Sequence, residues 1–118
     1  MPGLEKFPRG ERLTRRRDYL EVYRKGQKAR GRAFDCFVVR RAGQGRKFGL
    51  AVSRKVGGAV TRNRVKRYIR EIYRTRRKHM VDDIDLVVVA RPESASMSFA
   101  ECEQAIGELF RKGEVLNA

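Results

Sequence analysis

The residues best suited to chemistry lie on one stretch, Arg62-Asn63-Arg64-Val65-Lys66-Arg67-Tyr68-Ile69-Arg70. What they offer is anion recognition rather than bond-making. On a helix Lys66 and Arg70 project together, one turn apart, with a rise of about 6 Å. That is close to the spacing of phosphates along a nucleic-acid strand. Arginine adds a planar fork that grips a phosphate through two hydrogen bonds or stacks on a base. Asn63 can bond a phosphate, a base edge or a metal-bound water. Arg62 and Asn63 fall near the start of the helix, where free amides and the positive end of the dipole attract anions.

Other chemistries have little to work with. His79 is the single histidine and sits inside a basic run, which leaves no dyad and no zinc site. Cys36 and Cys102 are isolated, which reads as two reduced thiols rather than a disulfide framework, and points to the cytoplasm. The expectation is therefore no protein catalytic residue and no protein-held metal. No apolar run approaches the ~18 residues of a membrane span, and Met1 to Arg12 has no apolar segment of a secretory signal. No helix-turn-helix spacing or dimer seam points to DNA.

The charge agrees with an RNA partner. The 118 residues carry 29 Lys and Arg against 14 Asp and Glu, a net +15. It is unevenly placed, +20 over residues 1–78 and −5 over 79–118. Between Thr61 and Lys78 the only acid is Glu71. Crowding of one sign on a helix destabilises it unless a polyanion offsets the repulsion. The basic residues interleave with aliphatics and aromatics, so this is a folded surface and not a tail.

The elements that position these residues follow from periodicity. Length argues for a single domain over 1–118, with 1–11 irregular because Pro2, Gly3, Pro8 and Gly10 crowd it. Thr14 is placed to cap a first helix over about 15–25, stopped by Gly26. Ala33 to Arg41 reads as a strand, Gly43-Gln44-Gly45 as a turn, and Phe48 to Ser53 as a second strand. A helix follows over about Thr61 to Lys78. On it Val65, Tyr68, Ile69 and Ile72 share an arc of about 100°, while Asn63, Lys66, Arg67, Arg70 and Arg74 share another pointing away. Asp82, Asp83 and Asp85 make a polar turn before the continuous run Leu86 to Ala90, which predicts a strand covered on both faces. Ser98 or a neighbour caps a last amphipathic helix through Phe99, Cys102, Ile106, Leu109 and Phe110. Room remains for a short strand between Asp35 and Ser53. The class is α+β, a sandwich of one sheet and helices.

The stretch RNRVKRYIRE, preceded by VGGAVT and the strand FGLAVSRK, resembles the bacterial ribonuclease P protein subunit. Arg12-Leu13, Tyr19, Tyr23, Phe34, Phe37, VVVAR and the final LFRK fall where that family places its residues, a likeness covering roughly 12–112. The resemblance implies a four-stranded sheet in the order α-β-β-β-α-β-α. It also implies a left-handed βαβ crossover, against a right-handed rule obeyed in about 98% of cases. The family's subunit binds a large catalytic RNA and helps it remove the 5′ leader of precursor tRNA. Mg²⁺ held mainly by the RNA supplies the chemistry.

Residue by residue, the resemblance assigns Arg62, Asn63, Arg64, Lys66, Arg67 and Arg70 to the catalytic RNA. Tyr19, Tyr23, Phe34 and Phe37, edged by Ser53, Arg54 and Lys55, match a cleft for the single-stranded leader. Aromatic faces stack unpaired bases at ~1–3 kcal/mol per base. Phe34 and Phe37 differ in strand parity, which sends them to opposite faces. One of them then belongs to the core, and the family match favours Phe37 in the cleft. Asp35 and Cys36 depart from the apolar residues common there, with Asp35 expected exposed and Cys36 packed. The alternative reading is a non-catalytic RNA-binding module such as a small ribosomal protein, which explains the charge but not the cleft.

Overall fold

The computed structural model describes residues 9–116. Its helices and strands run α1 (Arg16–Lys25), β1 (Gln27–Arg30), β2 (Phe34–Arg40), β3 (Lys47–Val52), α2 (Ala59–Arg76), β4 (Ile84–Ala90) and α3 (Phe99–Lys112), with 3₁₀ turns at Arg9–Glu11, Arg77–His79 and Pro92–Ser96. The sheet order is β1-β2-β4-β3, antiparallel except for the parallel pair β3 and β4 joined through α2. This is the α+β class and element order expected from the sequence.

Strand β4 explains its own continuous apolar run. It lies between β2 and β3 and is covered on both faces. Leu86, Val88 and Ala90 face α2 and α3, joining Phe34, Cys36, Val38, Phe48 and Val52 in the larger core. Val87 faces the other way and packs with Leu13 and Val22 under α1. Asp85 is on that second face too. Burial pushes its carboxyl up, opposed by the Arg41 guanidinium 2.7 Å away.

The extra strand is β1, N-terminal to the first expected strand rather than between Asp35 and Ser53. Apart from Ala29, which packs on the core, its residues Gln27, Lys28 and Arg30 are polar and exposed because it is an edge strand. Hydrophobic periodicity cannot reveal such a strand. Thr14 does not cap α1: Arg15 holds that position, with no side-chain cap. Gly26 and Ser98 do terminate their helices as expected, Ser98 through a reciprocal capping box with Glu101. The expectation of an irregular 1–11 falls outside the described residues up to residue 8, and Arg9–Glu11 form a turn.

Helix α2 buries Val65, Ile69, Ile72 and Tyr73. Tyr73 lies outside the apolar arc read from the sequence. It stacks on Phe48 at 4.0 Å with the rings 8° apart, and its hydroxyl, bonded to Glu11 and to Arg46 Nε at 3.0 Å, gives the ring's polar end a partner. The turn between β2 and β3 needs its glycines, since Gly43 and Gly45 have φ of +78° and +75°.

Candidate RNA-binding surfaces

The face of the sheet beneath α1 carries a cluster of aromatic rings. Tyr19 and Tyr23 lie one turn apart on α1, ring centroids 6.4 Å apart, and Tyr23 meets the Phe37 ring edge-on at 5.0 Å. All three are half-buried. Burial, and then the neighbouring Tyr19, push the Tyr23 hydroxyl's pKa up, so it stays a neutral donor. Tyr19 is fixed more tightly. Its hydroxyl accepts a hydrogen bond from the Leu50 amide at 3.3 Å, on the edge of β3 away from β4, where the Leu13 amide also bonds the Phe48 carbonyl at 2.9 Å. The phenol end of the ring lies against Gly49, where an added Cβ would come within 2.7 Å of Tyr19 Cε1, Cζ and the hydroxyl.

Phe34 does not share this cluster. It is fully buried on the opposite face, in the core under α2 and α3, because it differs from Phe37 in strand parity. The resemblance's assignment of Phe34 to the cleft is corrected, and the parity reading that sends one of the pair to the core holds. Asp35 is also corrected: it is buried rather than exposed, accepts from the Gly31 amide at 3.3 Å, and pairs with Lys28 at 3.6 Å and Arg91 at 3.4 Å. Cys36 is packed as expected, and burial raises its thiol to about 11. Ser53, Arg54 and Lys55 leave the C-terminal end of β3 as exposed residues. The Ser53 hydroxyl accepts from the Lys55 amide, and the segment turns into α2.

On the other side of the sheet, the outward face of α2 presents Asn63, Lys66, Arg67 and Arg70. Lys66 and Arg70 make no ion pair or hydrogen bond through their side chains among the described residues, and Arg67 rests 5.9 Å from the Tyr68 ring. Arg62 and Arg64 differ. Arg62 Nε bonds the Gly57 carbonyl at 3.1 Å, closing the start of the helix. Arg64 reaches the Ala95 carbonyl in the turn before α3. Both flank the cationic ridge and tie α2 to its surroundings. Arg74 is engaged by Glu71 at 2.9 Å, Arg76 by Glu103 and Arg77 by Glu11. The like-charge crowding read from the sequence is thus relieved at its edges and left standing at Lys66, Arg67 and Arg70.

Sequence reasoning missed Gly49, Lys28 and Arg91. A lone glycine between Phe48 and Leu50 in a strand pattern marks a close approach, which is what Tyr19 makes of it. Nothing local marks Lys28, because its role depends on a strand that hydrophobicity does not show.

Known proteins share this geometry. A family model described as Ribonuclease P matches residues 7–114. The ribonuclease P protein component of Dictyoglomus turgidum is 32% identical over 97% of this chain and 98% of its own. That of Desulforapulum autotrophicum is 36% identical over 93% and 94%. Among solved structures, an RNase P protein from Staphylococcus aureus superposes with a TM-score of 0.85 at 27% identity, covering 91% of this chain and 98% of that one. One from Thermotoga maritima gives 0.78 at 27%, covering 86% and 96%. The chain belongs to the ribonuclease P protein family, a membership that carries RNA binding and a part in tRNA processing.

Proposed function

We propose that this chain is the RNA-binding subunit of a ribonucleoprotein endoribonuclease that removes the 5′ leader of precursor tRNA in the cytoplasm. The catalytic RNA docks on the ridge of Asn63, Lys66, Arg67 and Arg70, with Arg62 and Arg64 holding that ridge in place. The single-stranded leader lies in the groove of Tyr19, Tyr23 and Phe37, and Ser53, Arg54 and Lys55 meet its phosphates at the edge. The observation that carries the reading is the ring cluster: three half-buried rings in succession, one held against the bare backbone of Gly49. Rings held this way stack unpaired bases at little further cost in side-chain entropy.

In this reading Mg²⁺ belongs to the RNA. Among the described residues no group of three His, Cys, Asp or Glu is placed to hold a metal ion, and the α2 ridge is cationic. The chain's own contribution is affinity: it brings positive charge to a complex of two polyanions and adds contacts that mature tRNA lacks. Reconstitution with the cognate RNA tests this. The chain should raise precursor cleavage most at low Mg²⁺ and cleave nothing alone. Robust cleavage without RNA contradicts it.

A further inference from the structure

We infer that the outward face of α1 docks double-stranded RNA, a base-paired stem in the 5′ flank of the precursor, upstream of the unpaired nucleotides at the ring cluster. The inference rests on the leader reading proposed above.

Helix α1 buries Val22 against the sheet. At about 100° per residue, Arg16, Leu20, Arg24 and Arg17 share an arc of about 100° on the opposite side. All four are exposed. Tyr23 and then Tyr19 lie on the helix between that stripe and Val22, so the stripe begins where the ring cluster ends. Asp18 and Glu21 fall beyond its other edge, half-buried, and Glu21 is engaged by Lys25 and Arg41. Among the described residues the side chains of Arg16, Arg17 and Arg24 make no ion pair or hydrogen bond. Their placement also works against the helix. Arg16 and Arg17 stand in its first turn, where positive charge opposes the dipole, and Arg15 at the N-cap makes no side-chain bond. Asp18 is the one acid in that turn. A polyanion on the stripe relieves the conflict.

The residue types favour a duplex over a single strand. Arg16 and Arg24 stand two turns apart, about 12 Å along the axis, with Leu20 midway. Leu20 is 52% exposed, and with Val60 it makes up the exposed large apolar residues among those described. The stripe carries no aromatic ring. A single strand laid along it gains phosphate contacts but no stacking to offset the ordering of its bases. A duplex arrives with its bases paired and its phosphates fixed on two strands. The minor groove of A-form RNA is wide and shallow and displays its riboses. The arginine forks at the two ends of the stripe suit the phosphates bordering such a groove, and Leu20 suits the ribose carbons between them. The stripe is on the α1 side of the sheet, across from the α2 ridge, and adjoins Tyr19 and Tyr23. RNA passing from the rings over α1 meets it directly, which selects the substrate's flank over the catalytic RNA.

The test uses reconstituted holoenzyme and precursor tRNAs that share one body. One has a short unpaired leader, one a long leader with a hairpin upstream of an unpaired spacer, and one the same long leader with the hairpin sequence scrambled. The hairpin precursor should bind about 10-fold tighter than the scrambled one at low salt, with a slope of log affinity against log salt steeper by about 2–3. Changing Arg16, Arg17 and Arg24 together to Gln keeps helix propensity. That variant should bring the two long precursors within about twofold of each other, since the phosphates are no longer neutralised, and leave the short-leader precursor unaffected. The comparison on the unaltered protein stands whether or not the variant folds. Equal affinity for hairpin and scrambled leaders overturns the inference, as does a hairpin preference that survives the triple variant. Weaker binding of the catalytic RNA alone by that variant overturns it too, by assigning the stripe to that RNA. Short-leader precursor binding no tighter than mature tRNA would instead overturn the leader reading beneath it.

Discussion

Gly49 has no side chain, and the groove depends on that. The Tyr19 ring occupies the position where a Cβ would stand, and its hydroxyl bonds the next amide along. Gly49→Ala must push Tyr19 off the strand. It should cost about 1–3 kcal/mol in denaturant unfolding and weaken precursor tRNA binding while leaving mature tRNA binding unchanged. A stable variant with wild-type leader preference would show that the ring's seat is dispensable. Among single residues the sequence was legible wherever parity applied. The spacing of Phe34 and Phe37 sends them to opposite faces, and they lie on opposite faces. It was illegible at Asp35, whose burial comes from Lys28 and Arg91, residues that only the folded sheet brings near.

Among the elements, α2 divides its cations into anchors and free charges, and the two kinds should respond differently to mutation. Replacing Lys66 and Arg70 with Ala should leave thermal unfolding unchanged and reduce the slope of log affinity against log salt by about 0.9 for each phosphate no longer neutralised. Arg64→Ala removes the tie to Ala95 and should cost about 1–3 kcal/mol of stability. An unchanged salt slope in the double variant would return the ridge to ordinary solvated surface. The C-terminal end of α2 is clamped by Glu11, which meets Tyr73, Arg46 and Arg77. Burial raises the cost of its charge, but the bonds from Arg77 and Tyr73 and the charges of Arg46 and Arg77 outweigh that and hold its carboxyl below the ordinary 4.5. Its stabilisation is therefore complete above pH 4.5 and is lost as pH falls through the lower folded-state value. Glu11→Gln should be less stable at pH 7 by about 2 kcal/mol, with the gap to the parent narrowing below pH 4.5. A gap independent of pH would mean that the carboxylate's charge contributes nothing. The helices were readable because their apolar arcs are long and regular, whereas β1 was not, since an edge strand of four residues buries almost nothing.

For the whole molecule, the sheet separates the two surfaces proposed above, the cationic face of α2 on one side and the aromatic rings beneath α1 on the other. The exposed segment Ser53 to Lys55 leads from the end of β3 into α2, so the proposed leader site and the proposed RNA ridge are joined through a few residues of backbone. The acidic excess after residue 78 includes exposed Glu101 and Glu108 on α3, whose buried face packs with α2 in the larger core. A polyanion approaching the molecule thus meets attraction on the ridge and groove and repulsion beside α3. Tyr23 is where a division of labour between the two surfaces can be separated from general RNA affinity, because it touches both Tyr19 and Phe37 and takes no part in the α2 ridge. The decisive quantity is the affinity of reconstituted holoenzyme for precursor and for mature tRNA, with and without Tyr23→Ala. Loss of one stacking ring, ~1–3 kcal/mol, should weaken precursor binding by roughly 5- to 150-fold and leave mature tRNA binding within about twofold. Equal losses for both RNAs would contradict a groove dedicated to the leader.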